Sequence, residues 1–95
     1  MQDRIMTKHP QKKSGVNIQR DKYEQVCAAI ELALKEDGPH TFQALNESVG
    51  QKLKGNFDGS IGWYYTTVKL DLEARGLLVC ERKSGQPQMI RWVDD

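Results

Sequence analysis

The chain is poor in cysteine, histidine, net charge and long apolar runs. It has 95 residues, with two cysteines, two histidines and a formal net charge of +1. Two cysteines are too few for a disulfide framework, and no further ligand stands near them at a metal-like spacing. The low net charge gives no general attraction to nucleic acid or to an anionic membrane. No apolar run approaches the ~20 residues that a membrane-spanning helix needs.

These absences favour a small globular protein that is not an enzyme. The N-terminus has no apolar stretch of the kind found in secretory signals, so we expect a cytoplasmic protein. Cys27 and Cys80 fall in a predicted helix and a predicted strand, where reduced thiols pack as small hydrophobic groups. The sequence shows no phosphate-binding glycine loop, no metal-ligand set and no nucleophile with a base. We therefore expect no cofactor and no metal, and we interpret His40, beside Pro39, as a turn residue.

Residues 1–20 differ from the rest of the chain. They contain five basic residues and one acidic residue, a net charge of +4, and few large apolar residues. Proline, serine and glycine interrupt any periodicity, which is typical of a mobile segment. We predict a flexible basic arm over 1–20 and a folded domain over 21–95. Val16 and Ile18 alternate with polar residues, so they are candidates for a short extended stretch that docks on the domain.

Three amphipathic helices are predicted in the domain. Asp21 and Glu24 have the spacing of a capping box at the start of the first helix, which ends near Gly38. Thr41 is the predicted N-cap of the second helix, and Ser60 is that of the third. The predicted inward-facing residues are Tyr23, Val26, Cys27, Ile30 and Leu34, then Phe42, Leu45, Val49 and Leu53, then Ile61, Tyr65, Val68 and Leu72.

A glycine stop and a β-hairpin follow the third helix. Residues 72–79 read LEARGLLV, in which Gly76 can take the left-handed conformation that ends a helix. The apolar run after this glycine is typical of a strand. Two strands are predicted, at 77–82 and 88–93, with turn-forming residues between them.

The inner face of the hairpin follows from the alternation of side chains along a strand. We expect Leu77 and Val79 of the first strand to point inward. Pairing across the hairpin then places Ile90 and Trp92 of the second strand on the same face. The resulting order, three helices and then a hairpin, predicts an α+β domain.

The helix–glycine–strand junction at 72–78 resembles the junction between recognition helix and wing in winged helix-turn-helix domains. More narrowly, the chain is similar to an uncharacterised family of small bacterial winged-helix-like proteins in the runs GWY at 62–64, TV at 67–68, LDLEA at 70–74 and RW at 91–92. The resemblance covers about residues 21–93. It implies a winged helix, with three helices followed by a two-stranded β-hairpin wing, preceded here by the flexible arm.

The resemblance also implies a DNA-binding protein of the transcriptional-regulator type, which binds double-stranded DNA through its third helix and wing. The expected DNA contacts are Thr66, Thr67 and Lys69 of the helix, Arg82, Lys83 and Arg91 of the wing, and Lys12 and Lys13 of the arm. Positive charges on the wing are equally typical of a solvated hairpin tip. Lysines in the arm are also typical of an ordinary basic tail. A chain this short needs a partner or self-association to read a long site.

Two features of the third helix depart from that pattern. The loop before it, residues 54–60, is longer than the tight turn of a standard helix-turn-helix. Acidic residues balance the basic residues of the helix, and its side opposite the core carries Trp63 and Leu70. Three alternatives stay open for this pair: the arm, loop or wing covers it; it binds a protein partner or forms a homodimer; or it contacts DNA directly.

Overall fold

The computed structural model describes residues 3–9, 15–82 and 84–93, which form three helices and two antiparallel strand pairs. The elements in chain order are β1 (Arg4–Met6), β2 (Asn17–Gln19), α1 (Arg20–Asp37), α2 (Phe42–Leu53), α3 (Ile61–Ala74), β3 (Leu78–Glu81) and β4 (Met89–Trp92). The α+β class predicted from the sequence is confirmed. Among the described helices, none is long and apolar enough to cross a membrane.

The ends of α2 and α3 lie where the sequence predicts them. Thr41 Oγ1 accepts a 3.1 Å hydrogen bond from the N–H of Ala44, and Ser60 Oγ accepts one of 3.4 Å from the N–H of Trp63. These bonds satisfy N–H groups that have no partner within the first turn of a helix. Gly76 follows α3 with φ of +80°, a conformation that a residue with a Cβ adopts only under strain.

The capping box predicted for α1 is wrong. Its N-cap is Gln19, and the side chain of Gln19 forms no capping hydrogen bond, so Asp21 and Glu24 lie inside the helix. The physical reason is that β2 continues directly into α1. The backbone N–H of Arg20, the first residue of α1, donates a 2.9 Å hydrogen bond to the carbonyl of Asp3, so this N–H has its partner in the ribbon.

The core lies between the three helices and one face of the β3–β4 hairpin. Its buried residues are Ile18, Val26, Ala29, Ile30, Ala33, Leu34, Leu45, Val49, Leu53, Tyr65, Val68, Leu72, Leu78 and Ile90. Phe42 is an exception to the predicted stripes, since its side chain is exposed. It is the first residue of α2, at the edge of the core, and its ring centroid lies 5.0 Å from that of Tyr65.

The described parts of the N-terminal segment form a two-stranded ribbon against α1. β1 and β2 pair antiparallel with Ile5 opposite Ile18, and Ile18 is buried in the core. Thr7 is also buried, and its Oγ1 accepts a 2.8 Å hydrogen bond from the N–H of Val16. Ile18 therefore docks as anticipated, whereas the side chain of Val16 is exposed. The mobility of the segment and the boundary at residue 20 stay predictions.

The inner face of the β3–β4 hairpin is shifted by one residue from the prediction. Leu78 pairs with Trp92 and is only 2% exposed, while Leu77 is 39% exposed and Val79 is half-buried. Ile90 is buried as expected, and it pairs with Cys80.

The turn after α3 causes this shift. The N–H of Leu77 donates a 2.9 Å hydrogen bond back to the carbonyl of Leu72, so Leu77 belongs to the helix end and the strand begins at Leu78. A displacement of one residue exchanges the two faces of a strand.

The connection between α1 and α2 also contacts the hairpin. The backbone of His40 forms two hydrogen bonds with that of Ile90, of 3.1 Å and 2.7 Å. The imidazole Nδ1 of His40 lies 2.7 Å from the carbonyl oxygen of Gly38. His40 thus forms an isolated antiparallel β-bridge with Ile90, which fixes the hairpin to the end of α1.

Candidate functional site

One face of α3 is open to solvent. Trp63 is 46% exposed and Thr66 is exposed, while Thr67, Leu70 and Ala74 are half-buried. These five residues, here called the Trp63 face, lie opposite the buried side of the helix and include no charged side chain. The alternative in which the arm, loop or wing buries Trp63 is therefore wrong for the described residues. Leu70 is partly covered.

The position of Trp63 is fixed by an aromatic cluster of Phe57, Trp63 and Tyr64. The ring centroids of Trp63 and Tyr64 are 4.9 Å apart, and those of Phe57 and Tyr64 are 5.2 Å apart, both in edge-to-face geometry. This geometry is favourable because the positive edge of one ring meets the negative face of the other. The cluster joins the loop of residues 54–60 to the first turn of α3.

Lys22 of α1 holds this cluster against the helical body. Its Nζ lies 5.4 Å from the ring centroid of Tyr64 and 5.6 Å from that of Phe57. The same ammonium donates a hydrogen bond to the carbonyl of Asp58. Gly59 completes the contact, because a Cβ at that position would lie 3.0 Å from the ring of Tyr64. The long loop is thus attached to α1 by a cation and two rings.

Two of the three polar residues of α3 that were predicted to contact DNA, Thr66 and Lys69, already have partners within the helix. Lys69 Nζ lies 3.2 Å from Glu73 Oε2 in an ion pair, and it also lies 5.9 Å from the ring centroid of Phe42. The hydroxyl of Thr66 donates a 3.0 Å hydrogen bond to the carbonyl of Gly62. Both groups are therefore bound back along α3 rather than projecting from it.

Two of the three predicted wing contacts, Arg82 and Arg91, lie within the described residues, and only Arg91 forms an ion pair there. Arg91 donates from Nη2 and Nε to Glu81 Oε1, at 2.6 Å and 3.2 Å. Arg82 is exposed and forms no ion pair within the described residues. Lys83, like Lys12 and Lys13 of the arm, lies outside the residues that the structure describes.

Sequence reasoning missed a buried polar cluster around Asp71. This carboxylate is fully buried. Its Oδ1 accepts a 2.8 Å hydrogen bond from the backbone N–H of Lys8, and its Oδ2 lies 2.8 Å from Arg75 Nε. The hydroxyl of Tyr23 donates a further hydrogen bond to Oδ2. The cluster joins the N-terminal ribbon, α1 and α3.

Asp71 and Arg75 form an ion pair within this cluster. Burial and the hydrogen bond to Asp71 raise the pKa of Tyr23, so this phenol stays protonated as a donor. The hydrogen bond to Asp71 raises the pKa of Arg75 as well. One signal was present in the sequence: an aspartate beside the inward stripe with an arginine four residues later is an i,i+4 pair.

No group of three or more His, Cys, Asp or Glu side chains within the described residues could hold a metal ion. Asp71 and Glu73 have separate partners on α3. Cys27 and Cys80 are free thiols packed against the core, and burial raises the pKa of both, that of Cys27 to about 11.

Comparison with known proteins places the chain in a family. The model of a family described as a family of unknown function, DUF6958, matches residues 4–89. The chain belongs to this family, and the matched region includes the N-terminal ribbon as well as the three helices. No curated protein and no solved structure matches the chain.

Proposed function

We propose that this chain is a protein-interaction module whose Trp63 face binds another polypeptide. The observation that carries the proposal is an indole that is 46% exposed on a face without charge. Exposed apolar surface on a small domain marks sites of protein contact. Tryptophan is also among the residues that contribute most to binding at such sites.

The ring contacts around Trp63 support the same function. Binding costs free energy when mobile side chains must be ordered. Here Tyr64 contacts the indole, and Lys22 and Phe57 hold Tyr64 in turn. Trp63 is therefore held in place before a partner arrives, which lowers the ordering cost.

We also propose that the fold is a winged helix. The helix order α1, α2, α3, the turn at Gly76 and the antiparallel pair β3–β4 support a winged-helix arrangement. We place the protein in the cytoplasm and assign it no enzymatic activity. A fold supports many functions, so the assignment depends on the Trp63 face and not on the fold.

The test is a comparison of Trp63→Ala with Leu32→Ala, which removes another exposed apolar side chain, from α1. Each variant and the unaltered chain would be immobilised and challenged with a cell extract, and retained proteins would be quantified by mass spectrometry. We expect Trp63→Ala alone to lose the retained protein, with urea unfolding little changed. Retention that is equal in all three forms would contradict the proposal.

Double-stranded DNA is the second candidate partner. The guanidinium of Arg82 on the hairpin favours it, because it is exposed and has no ion-pair partner among the described residues, and phosphate contacts come mainly from such groups. The pairing of Lys69 and Arg91 with glutamates makes it the weaker candidate.

Fluorescence anisotropy with a labelled mixed-sequence duplex would measure this binding at low and moderate salt. Micromolar binding that weakens with salt and is lost in Arg82→Ala, but kept in Trp63→Ala, would support DNA as the partner. That result would count against the protein-binding proposal. Lack of binding at low salt would remove the DNA candidate.

A further inference from the structure

We propose that the N-terminal ribbon binds an extended acidic peptide, which adds a third strand along the free edge of β1. This surface is separate from the Trp63 face, so the inference goes beyond the proposed function. It rests on the backbone groups that β1 leaves unpaired and on the cations beside them.

One edge of β1 is unpaired. Among the described strands, β1 pairs only with β2. The N–H of Thr7 donates to the carbonyl of Val16, so Thr7 and, two residues earlier, Ile5 are the positions that bond to β2. The residues that alternate with them, Arg4 and Met6, direct their N–H and C=O groups away from β2. None of these groups has a hydrogen-bond partner within the described part of the chain.

A carboxylate already binds the next position on this edge. Lys8 follows Met6 in the same alternation, and its N–H donates a 2.8 Å hydrogen bond to Oδ1 of Asp71. Asp71 thus closes the edge at Lys8. A partner strand can bond to Arg4 and Met6, each of which offers one donor and one acceptor.

The side chains along this edge alternate between exposed and inward-facing. Met6 is 58% exposed, and Arg4 and Lys8 are also exposed. Between them, Ile5 is half-buried and Thr7 is buried. A partner strand therefore meets a cation, a thioether and a second cation on the outer face of the ribbon. Methionine is unbranched and flexible, so it adapts to different apolar neighbours.

No acid among the described residues neutralises the two cations. The guanidinium of Arg4 donates to the side-chain oxygen of Asn17 at 3.1 Å and to its carbonyl at 3.2 Å, and both acceptors are uncharged. The ammonium of Lys8 forms no ion pair within the described residues. Asp3, the one acid of residues 1–20, is paired with Arg20. The ribbon therefore carries uncompensated positive charge.

This charge determines the chemistry of the partner. Opposite charges on neighbouring strands are favourable, and like charges directly opposite are destabilising. Because alternate residues of a strand share a face, the complementary segment has acidic residues at alternate positions with an apolar residue between them. A second copy of β1 would bring the same two cations against Arg4 and Lys8, which protects the edge from self-pairing. Main-chain bonds supply the affinity of such strand addition, and the alternate side chains supply its specificity.

The charge pattern is tested on the full chain with a labelled peptide in which glutamate and valine alternate. The matched probe has the same composition with its glutamates in one block, so it has the same charge without the alternation. Fluorescence anisotropy at moderate salt would measure both dissociation constants. We expect the alternating peptide to bind about tenfold more tightly.

The backbone contact is tested with Met6→Pro and its control Met6→Ala. Proline removes an N–H that β2 does not use, and proline is tolerated at such edge positions. Alanine shortens the side chain and keeps the N–H. We expect Met6→Pro to lose about tenfold in affinity and Met6→Ala to lose less. An alternating peptide that is N-methylated at every second residue should bind the unaltered chain as weakly, which tests the same bonds without changing the protein.

The outcomes separate this inference from the proposed function. Trp63→Ala should bind the alternating peptide as the unaltered chain does, and loss of binding in that variant would overturn the third strand while the proposed function stands. Absence of binding, equal binding of the two peptides, or undiminished binding of the N-methylated peptide also overturns it. Tighter binding of a mixed-sequence DNA duplex, equal in Met6→Pro and the unaltered chain, would assign the cations to phosphate and overturn it as well.

Discussion

The backbone N–H of Lys8 donates a 2.8 Å hydrogen bond to Oδ1 of Asp71, which joins two residues separated by 63 positions in the chain. The other carboxylate oxygen contacts the hydroxyl of Tyr23 and Nε of Arg75. The N-terminal ribbon thus supplies part of the hydrogen bonding of a buried charge on α3. Loss of any partner leaves this charge less well satisfied, which is costly in a low-dielectric interior.

Removal of the Tyr23 hydroxyl should destabilise the fold. Tyr23→Phe deletes one hydrogen bond to a buried carboxylate, and such bonds contribute about 1.5–3 kcal/mol. Urea unfolding followed by circular dichroism would measure the loss. Tyr64→Phe is the matched control, because the Tyr64 hydroxyl forms no hydrogen bond within the described residues. Equal effects of the two changes would show that the Asp71 contact does not contribute.

Loss of the carboxylate itself should cost more and should also loosen the N-terminal ribbon. Asp71→Ala removes a buried carboxylate and leaves the Tyr23 hydroxyl and the Lys8 N–H without this acceptor, and each unsatisfied donor costs about 1–3 kcal/mol. Hydrogen exchange at β1 and β2 should accelerate more than exchange within α2. Glu73→Ala, which removes the more exposed acid of α3, should cost at most about 1 kcal/mol. Unchanged exchange in the ribbon would show that Asp71 does not hold it.

The stability should fall as the pH rises through the titration of Cys27. Burial raises the pKa of this thiol from 9.0 to about 11, so the unfolded chain loses the proton first. Because the unfolded state then binds fewer protons, the free energy of unfolding decreases between about pH 9 and 11. Cys27→Ala should show a smaller decrease over the same range in urea titrations. An identical slope in the variant would mean that other groups determine the alkaline loss.

Detaching Lys22 should free the loop before α3. Lys22→Ala removes the hydrogen bond to Asp58 and the contacts with two rings, and cation–π contacts contribute about 0.5–2 kcal/mol. Amide exchange at residues 55–59 should rise, and the fluorescence of Trp63 should shift as its neighbours move. Lys52→Ala, an exposed change on α2, is the control and should leave both signals unaltered.

The sequence predicted the three helices and the β3–β4 hairpin because their signals are local. Thr41, Ser60 and Gly76 act within a few residues of themselves, and each lies where the pattern placed it. That Trp63 lies on the side of α3 opposite the core also follows from the helical period alone. Contacts between distant segments were not accessible in this way. Neither the bond from Lys8 to Asp71 nor that from Arg20 to Asp3 has a local signal.

Two neighbouring residues of the hairpin provide the clearest test of which face of the first strand points toward the core. Leu77 and Leu78 are neighbours of the same residue type, yet the first is 39% exposed and the second 2%. Leu78→Ala should therefore cost about 2–5 kcal/mol, the range for large-to-small changes in a core, while Leu77→Ala should cost less than about 1 kcal/mol. Urea unfolding of the two variants side by side would show the difference. If Leu77 pointed inward, as the sequence predicted, Leu77→Ala would be the more costly change. The sign of the difference therefore shows which of the two leucines faces the core.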